Sequence, residues 1–215
     1  MSNTKQRIIV GAILALIAGA AAFGEYLGFA AVRWLGVAVV IMMIIEMAAM
    51  MSRNRAELHN KGNAIICGGF IAWLLLMLAS VYSIGTRPWI MLLLLMIICS
   101  ADIGAWFFGK WLGGDKMWEK MSAGKTWSGQ IAGILCGTAA AIMYGLLGTD
   151  TFMPQLMWIG ISVALLSQYG DLTASWIKRR MGIKDFGNIL PGHGGILDRF
   201  DGWIYVLPII WLVML

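Results

Sequence analysis

The chain has 215 residues, of which 60% are hydrophobic and only 13% are charged. Soluble domains carry about 25% charged residues, so this composition excludes a water-soluble globular protein and favours one that crosses a membrane several times. Only 4 prolines and long apolar runs also exclude a disordered chain.

Seven apolar segments follow one another along the chain, and we predict an all-α, polytopic transmembrane bundle with about seven spans. They comprise residues 8–23, 34–51, 63–84, 88–109, 130–148, 154–170 and 202–215. A span needs roughly 20 residues, so the first and last segments are short. Segment 8–23 follows Lys5 and Arg7 and ends in small residues, which makes a cleaved signal peptide the alternative for it.

The basic residues predict the orientation of these spans. With a cytoplasmic N-terminus, every Lys and Arg except Arg33 and Arg87 falls on the cytoplasmic side. The net charge of +5 therefore belongs to cytoplasmic loops rather than to a nucleic-acid-binding patch. The three cysteines lie in apolar runs and are interpreted as core residues. We expect one domain over residues 1–215, with cytoplasmic catalytic loops near 110–129 and 171–201.

The second of these loops combines three features that suit phosphate chemistry. It contains four cations, which attract phosphates: Lys178, Arg179, Arg180 and Lys184. The glycine-rich residues 191–195 allow backbone N–H groups to approach phosphate oxygens. Asp198 and Asp201 stand three apart, so both are expected on one side of a helix, as oxygen ligands that suit Mg²⁺.

The first loop contains Gly-Lys-Thr at residues 124–126, which resembles only a fragment of a phosphate-binding P-loop. We expect no sheet there, and we expect Thr126 to cap a helix that starts near Gln130 and offers Lys125 to a phosphate. Asp102 and Asp171, at the ends of apolar runs, are candidate functional carboxylates. For Glu46, inside an apolar run, a functional role and a structural hydrogen bond between helices both remain open.

Residues 175–201 resemble the signature of the phosphatidate cytidylyltransferases (CDP-diacylglycerol synthases). The matching positions are Ser175, Lys178, Arg179, Lys184, Asp185, Gly187, Pro191, His193, Gly194, Gly195, Asp198, Arg199 and Asp201. Residues 102–109 and 122–129 also resemble family segments, and Glu46 resembles a glutamate common in the family's early spans. The chain departs from the family pattern at Ala123, where proline is usual, and at Ser128, where glutamate is usual.

The resemblance implies transfer of CMP from CTP to phosphatidic acid, which gives CDP-diacylglycerol and pyrophosphate for phospholipid biosynthesis. It implies that Asp171, Lys178 and Asp198 are catalytic, with Asp171 and Asp198 binding Mg²⁺ and a second cation for which K⁺ is the candidate. The substrate-binding residues that it implies are Asp102, Ser122, Lys125, Thr126, Arg179, Lys184, Asp185, His193, Gly194, Gly195, Arg199 and Asp201. It also implies a multi-pass protein of the inner cell membrane with its active site at the cytoplasmic face.

Three alternatives stay open at this stage. One is a cytidylyltransferase or kinase that acts on another lipid phosphate or on a polyprenol. Another is a non-enzymatic transporter that uses Asp102 and Glu46 along an ion path, although it does not explain the glycine-rich residues 191–195. The third is an inactive paralogue that acts as a scaffold. The sequence leaves the oligomeric state open, a homodimer included.

Overall fold

The computed structural model describes residues 30–118, 122–149, 153–190 and 194–215, together with isolated positions between 13 and 28. From residue 30 onward the described ranges form seven helices: α1 (Ala31–Arg53), α2 (Arg55–Leu58), α3 (Lys61–Ile84), α4 (Pro88–Leu112), α5 (Trp127–Thr149), α6 (Pro154–Arg180) and α7 (Trp203–Met214). The same part of the chain contains two short strands, β1 (Lys116–Trp118) and β2 (Ser122–Thr126). Except for single positions, the predicted span 8–23 lies outside the described residues, and so do residues 191–193.

Four of these helices are long and apolar enough to cross a membrane, namely α1, α3, α4 and α5. The chain is therefore an α-helical membrane protein, and the predicted fold class is confirmed. The long helix α6 is more polar, and α7 has 12 residues, fewer than the roughly 20 that a full span needs. The number of seven spans and the cytoplasmic N-terminus stay predictions.

The chain forms two compact units. The first comprises Met1–Pro88 and Ile177–Leu215, and the second comprises Trp89–Trp176. In the first unit α1 packs against α3, and α3 packs against α7. Apart from Ser80, the buried residues of α3 alternate at intervals of four and three: Asn63, Cys67, Phe70, Leu74, Met77, Val81 and Ile84. That spacing places them on one stripe, as expected for a helix that packs lengthwise along its neighbours.

Glycines bring the helices of the second unit close together. A Cβ atom on Gly133 of α5 would lie 2.9 Å from the carbonyl oxygen of Ala101 in α4. A Cβ atom on Gly160 of α6 would lie 2.7 Å from the Cα atom of Thr138 in α5. Because lipid is as apolar as the side chains, close backbone packing of this kind is a main source of helix association in a membrane.

The segment before α5 differs from the sequence prediction. The expectation of no sheet was wrong, because β2 pairs antiparallel with β1, with Thr126 opposite Lys116. The turn between α4 and β1 contains Gly113 and Gly114, whose φ angles of 62° and 104° favour glycine. Helix α5 then begins at Trp127, three residues earlier than expected.

The start of the predicted loop 171–201 is also helical, because α6 continues to Arg180. No glycine or proline interrupts residues 171–181, so the helix continues past the apolar run. It ends in a Schellman motif, in which Gly182 has a φ of 66°. The N–H of Gly182 bonds the carbonyl of Arg179 at 3.2 Å, and that of Ile183 bonds the carbonyl of Lys178 at 2.9 Å. This motif fixes Lys178 at the end of the helix, where the chain reverses.

Candidate active site

Asp198 anchors the segment that follows α6 in the first unit. Its Oδ1 atom accepts a hydrogen bond from Lys178 Nζ at 2.7 Å. Its Oδ2 atom accepts from the backbone N–H groups of Phe186 at 2.9 Å and Gly195 at 3.0 Å. The two charged side chains are only 11% and 5% exposed. The pair is therefore nearly buried. Through the backbone bonds of Asp198, it connects the end of α6 to Phe186 and Gly195.

Gly194 brings two carboxylates together in the same unit. Its φ of 86° is a conformation that favours glycine, and its carbonyl accepts the N–H of Leu190 at 2.9 Å. A Cβ atom on Gly194 would lie 3.3 Å from Asp185 Oδ1 and 3.3 Å from Asp198 Oδ2. Any larger residue there would crowd both carboxylates. Glycine is therefore favoured at this position both by the turn and by the space between the carboxylates.

Asp198 and Asp201 do not share a helix, and that prediction was wrong. Residues 196–202 form consecutive turns, and α7 begins only at Trp203. The reason is local, since both carboxylates bond backbone N–H groups, which favours turns over helix. Asp201 Oδ1 accepts from the N–H of Gly202 at 3.0 Å, whereas Asp198 reaches back to Gly195.

Most of the remaining predicted residues of the first unit lie on its surface. Arg179, Lys184, Asp185 and Arg199 are exposed, and Asp201 is half-buried. Next to Asp185 lies a cavity of about 240 Å³, which Arg53, Asn54 and Asn188 also line. A polar cavity with the exposed Arg53 in its wall suits a ligand that has both phosphates and a polar base.

Arg53 was missed as a site residue in the sequence analysis. Its terminal nitrogen donates to the carbonyl of Phe186 at 2.9 Å, so α1 holds the signature segment from the opposite end of the sequence. In the sequence Arg53 is one more cation at the cytoplasmic end of a span, and topology alone explains it. No local signal separates it from Arg55.

Glu46 lies on the same helix, two turns before Arg53, and is 2% exposed. Its Oε2 atom accepts the N–H of Leu197 at 2.8 Å, so it bonds the signature segment. The sequence analysis considered a hydrogen bond between helices for Glu46. The observed bond instead joins helix α1 to Leu197, which lies in the turns before α7. No partner in the described part of the chain bonds its Oε1 atom, which is buried.

The second unit contains a second lysine–aspartate pair. Lys125 Nζ, at the end of β2, lies 2.6 Å from Asp171 Oδ2 on α6, and the side chains are 24% and 40% exposed. The hydroxyl of Ser175 lies 3.4 Å from Asp171 Oδ1. Asp102 on α4 interacts electrostatically with both Lys125 and Asp171. Three residues predicted from separate segments are thus brought together within this unit.

Thr126 caps α5, as predicted. Its Oγ1 atom accepts the N–H of Gly129 at 3.2 Å, which is the usual bond from the cap to the third helical residue. Ser128, at the second helical position, donates its hydroxyl to the carbonyl of Gly113 and lies 3.1 Å from Thr126 Oγ1. The side chain of Ser122 lies outside the described residues, as does His193.

The chemistry of the donors fits a hard cation, although the described residues contain no group of three His, Cys, Asp or Glu arranged to hold a metal. Asp198 Oδ1 and Asp171 Oδ2 each bind a lysine ammonium in their own unit. Carboxylate oxygens are the ligand type that Mg²⁺ prefers, and a cation bound at either atom would replace the ammonium group that now occupies it.

Comparison with known proteins decides the family. A profile of the Cytidylyltransferase family matches residues 1–215. The chain belongs to this family. The predicted enzyme class is therefore confirmed, and the transporter alternative is replaced by a transferase.

Three curated relatives of this cytidylyltransferase-family chain are named phosphatidate cytidylyltransferase. The protein of Rickettsia bellii is 34% identical over 197 residues, which cover 85% of this chain and 83% of the relative. The protein of Staphylococcus epidermidis is 31% identical over 179 residues, 82% of this chain and 68% of the relative. The protein of Brucella suis is 42% identical over 123 residues, 55% of this chain and 44% of the relative.

Proposed function

We propose that this chain is a phosphatidate cytidylyltransferase that transfers CMP from CTP to phosphatidic acid. The observation that supports this most is the similarity to the Rickettsia bellii protein of that name, which extends over 85% of the chain. The signature residues support it independently, since Lys178, Asp198 and Gly195 are joined by hydrogen bonds in one cluster.

The proposed reaction needs charge neutralisation more than acid–base chemistry. An oxygen of the lipid phosphate forms a bond to the α-phosphorus of CTP, while the bond to the departing pyrophosphate breaks. The attacking phosphate is already ionised at neutral pH, so no strong base is required. Both reactants are anions, and lysine side chains beside them would lower their mutual repulsion. Lys178 and the exposed Lys184 supply such charge in the first unit, and Lys125 supplies it in the second.

The assignment of Mg²⁺ to Asp171 and Asp198 is kept as a proposal, with K⁺ as the candidate second cation. It is supported by the family signature and by the oxygen chemistry of the two carboxylates, and a bound cation would take the place of the ammonium group in each pair. A bound divalent cation supplies positive charge to phosphate oxygens and holds them in place. Asp198 would keep its backbone bonds to Phe186 and Gly195 through Oδ2, and offer Oδ1.

We further propose that the chain acts in the inner cell membrane with its active site at the cytoplasmic face. The basic residues support this, because nearly all of them fall on one side of the predicted topology. CTP is then reached from the cytoplasm, and phosphatidic acid is reached from the lipid layer itself.

The test is a transfer assay with purified protein in detergent micelles. CTP labelled at the α-phosphate is mixed with phosphatidic acid, with a polyprenyl phosphate, or with no lipid, each with and without Mg²⁺. We expect label in CDP-diacylglycerol and an equal amount of pyrophosphate, only with phosphatidic acid and Mg²⁺. Labelled product from the polyprenyl phosphate alone would replace the proposed substrate.

Two substitutions connect the assay to the site. Asp198→Asn and Asp171→Asn should each reduce turnover by about 100-fold or more. An amide is a weak neutral ligand, and it leaves the neighbouring lysine without a negative partner. Glu57→Gln, at an exposed position on α2, is the matched control and should retain full turnover. Near-normal turnover of Asp198→Asn at saturating Mg²⁺ would contradict the assigned role.

A further inference from the structure

The glycines of the signature segment enclose the Glu46 carboxylate. A Cβ atom on Gly187 would lie 2.5 Å from Glu46 Oε1, and one on Gly195 would lie 2.6 Å from Glu46 Oε2. Both distances are far inside van der Waals contact, so the carboxylate fills the space that side chains would otherwise take. Neither glycine has a positive φ, which means that space, rather than backbone conformation, accounts for them.

The carboxylates of Glu46 and Asp198 hold the same short stretch of backbone. Gly195 donates its N–H to Asp198 Oδ2, and a Cβ atom added to it would lie 2.6 Å from Glu46 Oε2. Leu197, which donates to Glu46 Oε2, directly precedes Asp198. Phe186, which donates to Asp198 Oδ2, directly precedes Gly187. A shift of Glu46 would therefore move the donors that orient Asp198.

The rest of α1 supports the same role. Arg53 bonds the carbonyl of Phe186 at 2.9 Å and its own helix at the carbonyl of Ala49 at 3.2 Å. Helix α1 thus holds the segment at two points, seven residues apart. Glu46 has one oxygen on the segment and one without a described partner, although it is 2% exposed. A core position that served packing alone would be occupied more stably by an apolar side chain.

We propose that Glu46 is a positioning residue, which holds the backbone at Gly187, Gly195 and Leu197 so that Asp198 meets Lys178 and the substrates in a fixed orientation. Glu46 touches neither substrate nor cation in this account and acts through the backbone of Gly195 and Leu197. The kinetic part of the proposal rests on the proposed function, whereas the structural part does not.

The first test replaces Glu46 by Leu and by Gln. Leucine has a similar size and no acceptor, while glutamine keeps an oxygen for the N–H of Leu197. We expect Glu46→Leu to lower kcat by about 100-fold, as a displacement of about 1 Å can, with KM for CTP within about threefold. Glu46→Gln should restore kcat to within about fivefold of the unmodified protein, because the acceptor is retained. Glu57→Leu is the control, since it exchanges an exposed glutamate of the same unit.

Amide hydrogen exchange gives a readout that does not depend on turnover. In Glu46→Leu, the N–H groups of Phe186, Gly195 and Leu197 should exchange about tenfold faster or more, and in Glu46→Gln they should stay protected. If the unmodified protein makes no CDP-lipid, the proposed function fails while the exchange data still decide the role of Glu46. A kcat of Glu46→Leu within threefold of the unmodified protein, or unchanged exchange, would overturn the proposal.

Gly187→Ala is the second variant, in case Glu46→Leu does not fold. Its Cβ atom would push against Glu46 Oε1 and displace the carboxylate without removing it. It should reproduce the loss of kcat and the faster exchange of Leu197. Normal kcat and normal exchange in Gly187→Ala would also overturn the proposal.

Discussion

The ion pair between Lys178 and Asp198 allows a quantitative test of the geometry. Replacing Asp198 by Asn removes one charge but keeps an oxygen for the N–H groups of Phe186 and Gly195. At 2.7 Å the pair attracts by about 6 kcal/mol if the effective dielectric constant is about 20. Removing one partner of a buried pair costs about 3–5 kcal/mol, because the other charge stays buried alone. We expect a loss of unfolding free energy in that range.

The pair between Lys125 and Asp171 is the matched comparison. It is as short, at 2.6 Å, but its side chains are 24% and 40% exposed, so water and salt screen it. Exposed pairs contribute about 0–1 kcal/mol, and Asp171→Asn should cost no more than that. Distance alone would predict equal losses for the two pairs, whereas burial predicts a severalfold difference.

Double-mutant cycles measure the difference directly. Lys178→Met added to Asp198→Asn should recover part of the lost stability, with a coupling of about 2–3 kcal/mol, and Lys125→Met with Asp171→Asn should show less than about 1 kcal/mol. The free energy of unfolding is measured in mixed micelles by the fluorescence of the 11 tryptophans. Equal couplings in the two cycles would refute the burial argument.

Three further predictions concern topology, capping and packing. A single cysteine at position 184 in a cysteine-free background should resist an impermeant reagent added to intact cells, whereas one at position 150 should react. Ser128→Glu loses the hydroxyl bond to Gly113 but gains a favourable charge at the helix N-terminus, so kcat/KM should change by less than about threefold, and a tenfold gain would assign the position to catalysis. Gly133→Ala should lower stability by about 1–3 kcal/mol, because its Cβ meets the backbone of Ala101, whereas Gly148→Ala, with open space around it, should be neutral or stabilising in the same thermal assay.

Features encoded by neighbouring residues could be predicted from the sequence. The apolar periodicity identified α3 and α4 within a few residues of their observed bounds. The cap at Thr126 was predictable because a cap depends on residues three apart. The predicted start of the helix, near Gln130, was three residues later than the observed start at Trp127. The continuation of α6 was missed because the cations Lys178 and Arg179 suggested a loop, although they are also good helix formers.

Features that depend on distant segments could not be predicted. Nothing near Glu46 in the sequence indicates that its partner is Leu197, and nothing near Arg53 indicates Phe186. The pairing of β1 with β2 joins Lys116 to Thr126 in two short strands, which an analysis of apolar runs does not detect. One unused signal was local: the four-residue spacing of Gly129, Gly133 and Gly137 predicts close helix packing in a membrane.

The bond between Glu46 and Leu197 also constrains how the protein is made. The two residues are 151 positions apart, so a ribosome that adds about 5–20 residues per second needs roughly 8–30 s to pass from one to the other. During that interval α1 is already inserted, with a carboxyl group about 10 Å from its Arg53 end and without its final partner. A carboxyl group at that depth costs a few kcal/mol in lipid, so α1 is less stable in the membrane before Leu197 is made than after. Helix α1, the earliest described span, therefore acquires its partner only after Leu197 has been made.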